Sequence, residues 1–186
     1  MPQFDVCPWW MGYLIDNHVR RLIHDPALIV GPHLRPGATC LDVGCGMGFF
    51  SLAMARMVGE NGVVHAVDLQ SRMLSALMRR ARRRGLDERI QPRQCAKDDP
   101  GLADLHDAVD FALACWMIHE VPERHGLIGQ IARAMRPGAA FLILEPKGHL
   151  PAGDFEKTLA IAEEAGLRQV GEPPARLSRT ALLAKK

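Results

Sequence analysis

Seven consecutive residues, Asp42-Val43-Gly44-Cys45-Gly46-Met47-Gly48, carry the densest chemical signal in this chain of 186 residues. Glycines at alternate positions let the backbone take positive φ and bring bare N–H groups against a ligand. The carboxylate of Asp42, two residues before the first glycine, would repel a pyrophosphate but suits a ligand that carries an ammonium. Asp68 stands 20 residues past Gly48, and an acid there can accept both hydroxyls of a ribose. Farther on, the run Cys115-Trp116-Met117-Ile118-His119-Glu120-Val121-Pro122 presents His119 and Glu120, side chains able to move a proton.

These groups need elements to hold them. An apolar, β-branched run ends at Asp42 and Val43, and FFSLAMARMV (49–58) behind the glycines is helical, with unpaired N-terminal donors. GVVHAVDLQ (62–70) follows an Asn61-Gly62 turn and reads as a second buried strand ending in Asp68; the alternative role for that acid is N-cap of the helix starting at Ser71. That helix places Met73, Leu74, Leu77, Met78 and Ala81 on one face. Most of Arg79, Arg80, Arg82, Arg83 and Arg84 form a solvated opposite face, and Gly85 stops the helix. A short third strand and a loop lie within 89–99, and a fourth strand spans 108–116. The helix from Pro122 buries Leu127, Ile128, Ile131, Ala132 and Met135, and Arg136-Pro137-Gly138 separates it from a fifth strand, 139–145. A loop with Lys147 and His149, a helix from Asp154 to Gly166, and two consecutive strands, 167–173 and 179–186, complete the pattern. Consecutive strands after strand–helix alternation require an antiparallel hairpin. The expected fold is α/β: a three-layer, Rossmann-like, seven-stranded, mostly parallel sheet with a C-terminal antiparallel hairpin and helices on both faces. Residues 1–186 read as one domain, a helical cap over 1–35 and a core over 36–186. In the cap, Met11, Ile15, Val19 and Leu22 make the apolar stripe of a helix over 8–24, and Trp9, Trp10 and Tyr13 read as packing residues rather than a lid, with Trp10 and Tyr13 beside the glycine turn.

The glycine spacing selects among ligands. A dinucleotide site wants G-x-G-x-x-G, and here Phe49 occupies the place of the third glycine. The D-x-G-x-G-x-G form resembles the first motif of the class I S-adenosylmethionine (SAM) methyltransferases, and the resemblance runs over residues 36–186 through the arginine-proline-glycine turn and terminal hairpin; the small quinone-biosynthesis-related enzymes are the most similar branch. It implies that Asp42, Gly44, Cys45, Gly46 and Gly48 line the amino-acid end of the cofactor and that Asp68 holds its ribose. It further implies that Leu69 and Met73 flank the adenosine, and that Cys115 opens the fourth motif, between cofactor and acceptor. Where the family usually shows an acid and a small residue against the adenine, this chain has Cys95-Ala96, which leaves that contact to a backbone group or to Asp98.

Composition bounds the rest. No apolar run approaches the roughly 20 residues of a membrane span, and the start lacks the order of a signal peptide, so no membrane partner is expected and the cytoplasm is the expected location. Five cysteines form no C-x-x-C pair, as free thiols in a reducing compartment would. No metal site is expected either, because His119, Glu120 and His125 do not follow H-E-x-x-H. A formal charge of +2 calls for no polyanionic partner and leaves the oligomeric state open.

The expected function is methyl transfer from SAM, with S-adenosylhomocysteine as product, to a small-molecule acceptor by in-line displacement. His119 is the candidate general base where the acceptor is a hydroxyl or an acidic carbon. One alternative is a SAM-binding sensor or assembly protein without catalysis. A less favoured one is an RNA methyltransferase using the arginine face, which lacks the interleaved aromatics of a single-strand binding surface.

Overall fold

The computed structural model describes residues 20, 23–148 and 150–186. Most of the expected helix over 8–24, its aromatic residues and His149 lie outside the described residues. Seven strands form one sheet: β1 (Thr39–Val43), β2 (Val63–Asp68), β3 (Ile90–Gln94), β4 (Val109–Cys115), β5 (Met135–Pro146), β6 (Leu167–Gly171) and β7 (Ser178–Lys185), in the order β3-β2-β1-β4-β5-β7-β6. Strands β1 to β5 run parallel, and β7 pairs antiparallel with both β5 and β6. This is the expected mixed sheet with its terminal hairpin. Pro92, which cannot donate to a ladder, sits on the edge strand β3.

Among the described residues from Pro26 onward, the α-helices are α1 (Pro26–Ile29), α2 (Ser51–Met57), α3 (Ser71–Arg82), α4 (Arg124–Ala134) and α5 (Ala152–Glu164). Successive strand residues point to opposite faces, so each central strand feeds two cores. Phe111, Leu113, Leu142 and Leu144 pack with Leu52, Met54, Leu74 and Leu77 of α2 and α3. Ala112, Ala114, Phe141 and Ile143 pack with Ile128, Ile131, Phe155 and Ala162 of α4 and α5. This double coverage explains why β4 and β5 read as continuous apolar runs. Among the described residues, no helix is long and apolar enough to cross a membrane.

Several boundaries differ from the sequence reading, and three of them have a clear local cause. Helix α4 begins at Arg124 rather than Pro122, because a 3-10 turn over Ile118–Glu120 precedes it and Val121 spends its N–H on the Ile118 carbonyl. Glu120 therefore lies in that turn and not at a helix N-terminus. Strand β5 starts at Met135, which already pairs with Val109 across a register shift, so the Arg136-Pro137-Gly138 stop lies inside the strand. Helix α2 begins at Ser51, since the two phenylalanines before it complete the glycine turn.

Candidate active site

The carboxyl ends of β1, β2 and β4 meet at one edge, and the glycine turn folds over it. Gly44 and Cys45 both donate their N–H groups to the Val67 carbonyl, at 2.9 and 3.0 Å, which pins the turn to the end of β2. Two glycines are sterically required. A Cβ on Gly44 (φ +69°) would fall 2.7 Å from Met117 Cγ, and one on Gly48 (φ +85°) would fall 2.1 Å from Leu77 Cδ1. At Gly46 a Cβ would point into open space. Arg80 holds the turn from below, its Nη1 donating to the Met47 carbonyl at 2.8 Å. That arginine is therefore a strut for the turn rather than part of a uniformly solvated face.

Asp68 ends β2 and is 9% exposed. Its Oδ2 accepts the Gly46 N–H at 2.9 Å and its Oδ1 accepts the Gln70 N–H at 2.8 Å. Gln70 itself is the N-cap position of α3, so Asp68 does not cap the helix but ties its N-cap residue to the glycine turn. Burial raises its carboxyl above the ordinary range, with the Gln70 and Gly46 hydrogen bonds working the other way. Each oxygen keeps a second lone pair for a ligand hydroxyl. Beside it, Met73 is buried with Met47 and Ala76, and Leu69 is half-buried.

Asp42 lies deeper, 2% exposed, its Oδ2 accepting a 2.5 Å hydrogen bond from Ser51 Oγ. Burial pushes its carboxyl up to about 7, although the Ser51 hydrogen bond and the Arg20 guanidinium pull it down. Arg20 was not foreseen as a site residue. Its guanidinium carbon stands 4.7 Å from the centre of the Phe49 ring in the glycine turn, and Nη2 reaches Cys115 Sγ at 3.9 Å. A cation thus faces the turn from the segment before α1, near the acid one residue short of the end of β1.

At the third strand, Cys95 donates its N–H to the Asp68 carbonyl at 3.1 Å, and it is half-buried while Ala96 and Asp98 are exposed. The Asp99 carboxylate is occupied by the Gly101 N–H and the Gln130 amide. Burial pushes the thiol of Cys95 to about 11 and that of Cys115 to about 12, and raises Cys45 well above its ordinary value. All three stay protonated at neutral pH and act as small apolar groups.

Trp116 follows β4 with φ +59°, a left-handed conformation unusual for a bulky residue. Its indole N–H donates to Ser178 Oγ at 2.9 Å, Ser178 Oγ also bonds His24 Nε2 at 3.0 Å, and the His24 ring packs edge-on against the indole. Three distant segments therefore converge to hold a strained backbone at the sheet edge. Next in chain comes His119. Its Nδ1 donates to Glu145 Oε2 at 2.5 Å, and its backbone N–H donates to Glu145 Oε1 at 3.3 Å. Burial alone would lower this imidazole, but the hydrogen bond and charge of Glu145, with Glu120 adding, carry it above its ordinary value. Cys115 feels the charges of both Asp42 and Glu145, so the histidine pair and the glycine turn share one neighbourhood. On the α5 side, an open groove of about 610 Å³ runs past Phe155, Leu159 and the loop between β6 and β7. Lys147, Arg176 and Arg179 are among its lining residues, as is Ser178.

Known proteins share this fold. A methyltransferase domain family matches residues 40–138, from β1 to the turn inside β5. The 2-phytyl-1,4-naphtoquinone methyltransferase of Trichormus variabilis is 29% identical over 112 residues, 60% of this chain and 48% of that protein. The chain spans about half the length of the curated relatives it matches. In fold, a SAM-dependent methyltransferase from Aquifex aeolicus superposes with a TM-score of 0.83 at 24% identity, covering 96% of this chain and 98% of that one. The [4+2]-cyclase SpnF superposes with a TM-score of 0.67 at 24% identity, covering 84% and 61%, so the fold alone does not set the reaction. With a domain model matching residues 40–138, which include the glycine turn, Asp68 and His119, and with the expected strand order, the chain belongs to the methyltransferase-domain family, in the class I architecture of its SAM-dependent members.

Proposed function

We propose that this chain transfers the methyl group of SAM to a small-molecule acceptor. The observation that carries the reading is Asp68, a buried acid whose two oxygens each hold one backbone N–H and retain a lone pair, one of them pinning the glycine turn. The residues present fit the cofactor. Asp68 would accept the ribose hydroxyls, with Leu69, Met73, Cys95 and Ala96 around the adenosine. The open space at Gly46 allows close backbone approach, Asp42 offers a carboxyl that a neighbouring ammonium would hold ionised, and Arg20 supplies positive charge for a carboxylate. When bound, SAM supplies an electrophilic methyl already activated by a sulfonium.

The chain's own residues then need to align an acceptor and exclude water. Trp116 and Met117 would shape the edge at which the acceptor meets the glycine turn, and His119 would accept its proton. The groove beside Lys147, Arg176 and Arg179, whose lining also includes Glu156 and Glu172, offers room for the body of the acceptor. Residues 36–186 form the catalytic core, with the preceding segment as its cap. A reducing cytoplasm suits the protonated thiols of Cys45, Cys95 and Cys115 beside the site.

Calorimetric titration with SAM, S-adenosylhomocysteine and NAD in parallel tests the reading. Micromolar binding of SAM or its product, without NAD binding, is the expected result. NAD binding with silence from both adenosyl ligands would refute the reading.

A further inference from the structure

A carboxylate inside a hydrophobic core is costly unless its oxygens are satisfied, and Glu145 is such a group. It is 1% exposed at the end of β5, following the buried Ile143 and Leu144. Both of its oxygens turn to one residue, Oε2 to the ring Nδ1 of His119 and Oε1 to the backbone N–H of the same histidine. A tie that only anchored the 3-10 turn would need the backbone contact alone. The second contact sets the chemistry of the ring. A carboxylate only accepts, so Nδ1 carries the hydrogen and the lone pair is left on Nε2. That nitrogen lies 4.0 Å from Glu120 Oε1, and the side chain is 11% exposed. Among the described residues, Arg124 at the start of α4 is a further charged group close to His119; its Nη2 donates to the His119 carbonyl at 3.4 Å and its Nη1 donates to the Asp154 carbonyl and Thr158 of α5. Glu145 and Glu120 favour the protonated ring, whereas Arg124 opposes it.

We infer that Glu145 is a positioning residue that holds His119 as a general base, and that the methyl acceptor is a group that must lose a proton, a weakly acidic hydroxyl or an acidic carbon. This rests on the methyltransferase reading above. The balance is simple. The acceptor's O–H or C–H bond breaks and its proton passes to His119 Nε2, while the electron pair left behind forms the new bond to the methyl carbon. The carbon–sulfur bond breaks with its pair going to sulfur, which cancels the sulfonium charge. The imidazolium rests against the Glu145 carboxylate until solvent takes the proton. An amine or a thiol gains nothing comparable from a held base, since a neutral amine is already nucleophilic and a thiol ionises readily in water.

The test uses the full chain and three aromatic acceptors that differ only in the attacking atom: 1-naphthol, 1-naphthalenethiol and 1-naphthylamine. Wild type is expected to methylate the naphthol, with a rate that rises with pH through the titration of His119. Glu145→Gln should lower kcat for the naphthol at pH 7 by tenfold or more, change KM less than twofold and move the rising limb of the pH profile to lower pH. Glu145→Asp should restore part of the rate. Nitrogen-15 spectra of the histidines, recorded with S-adenosylhomocysteine bound, should show the ring hydrogen of His119 on Nδ1 in wild type, and His119→Gln identifies the signal. Turnover of the amine or thiol but not the naphthol would overturn the inference, as would absence of turnover of the naphthol or an unmoved pH profile in a folded Glu145→Gln. Failure to bind S-adenosylhomocysteine at all would instead sink the methyltransferase reading.

Discussion

Replacing Asp68 with alanine probes the cofactor assignment at its most specific contact. Two effects are superimposed in that variant. The N–H groups of Gly46 and Gln70, held at 2.9 and 2.8 Å, lose their acceptors, which weakens the fold. The ribose hydroxyls lose theirs, which weakens binding. A net hydrogen bond contributes about 0.5–1.5 kcal/mol and one to a charged group about 1.5–3, so the binding loss should be about 1–3 kcal/mol, roughly 5- to 150-fold in Kd. A double-mutant cycle separates the two effects. Calorimetry on wild type and Asp68→Ala, each with S-adenosylhomocysteine and its 2′-deoxy analogue, yields four affinities. Wild type should discriminate between the ligands, and the variant should lose most of that discrimination even though both its affinities have fallen. Thermal unfolding without ligand reports the fold term separately. Equal discrimination in the two proteins would refute the placement of the ribose at Asp68, whatever the absolute affinities do.

Other perturbations follow from the same geometry. Gly48→Ala must place a Cβ at φ +85° and 2.1 Å from Leu77 Cδ1, so stability to denaturant should fall by about 2–5 kcal/mol, from a left-handed backbone plus overpacking. Gly46→Ala meets nothing within 4 Å and should lose cofactor affinity by a larger factor than it loses stability; the reverse ranking would remove the ligand from this side of the turn. Arg20→Met should weaken S-adenosylhomocysteine at least fivefold and leave adenosine within twofold, as titration of both ligands would show. A parallel loss of both ligands would mean that Arg20 only shapes the turn. Burial and the nearby Arg20 charge lower His24 to about 4, so its native form is neutral. The unfolded chain then binds the extra proton below about 6.5, and the stability His24 provides is present above that pH and lost as pH falls towards 4. The stability difference between wild type and His24→Gln, followed by urea unfolding from pH 7 to 4, should shrink with acidity, whereas a constant difference would contradict a neutral buried ring.

Local pattern is what made the architecture readable. Continuous apolar runs at β1, β4 and β5, separated by helical periodicity, forced a parallel sheet buried on both faces. Two strands in succession at the end forced the hairpin. Asp42, the three glycines and Asp68 announced themselves because their chemistry lies in short spacings along one strand–turn–helix–strand unit. The residues that were missed act over distance. Arg20 reaches Cys115 across 95 positions, and Trp116 reaches Ser178 across 62. Nothing in the residues around either of them encodes that meeting. Glu145 was visible as an acid closing an apolar strand, but its use by His119, 26 positions earlier, depends on the pairing of β4 with β5. The one usable signal was that an acid at the end of a run as apolar as AAFLILE needs a partner. Element ends were blurred where a turn or a register shift intervened, as at Pro122 and Met135, because periodicity records faces and not hydrogen-bond partners.

The position of β7 also shapes how this protein comes off the ribosome. β7 is made after β6 yet lies between β5 and β6, so β6 has no place in the sheet until β7 arrives. From the end of β5 at Pro146 to the end of β7 at Lys185 the ribosome must add 39 residues, which at about 5–20 residues per second takes roughly 2 to 8 seconds. Throughout that interval the β5 edge, with Phe141, Leu142, Ile143 and Leu144 along it, offers an unpaired ladder to any other strand. Yield in the cell should therefore depend on how quickly translation passes through residues 147–185. Slow codons there would favour aggregation of nascent chains even though the finished protein is unchanged.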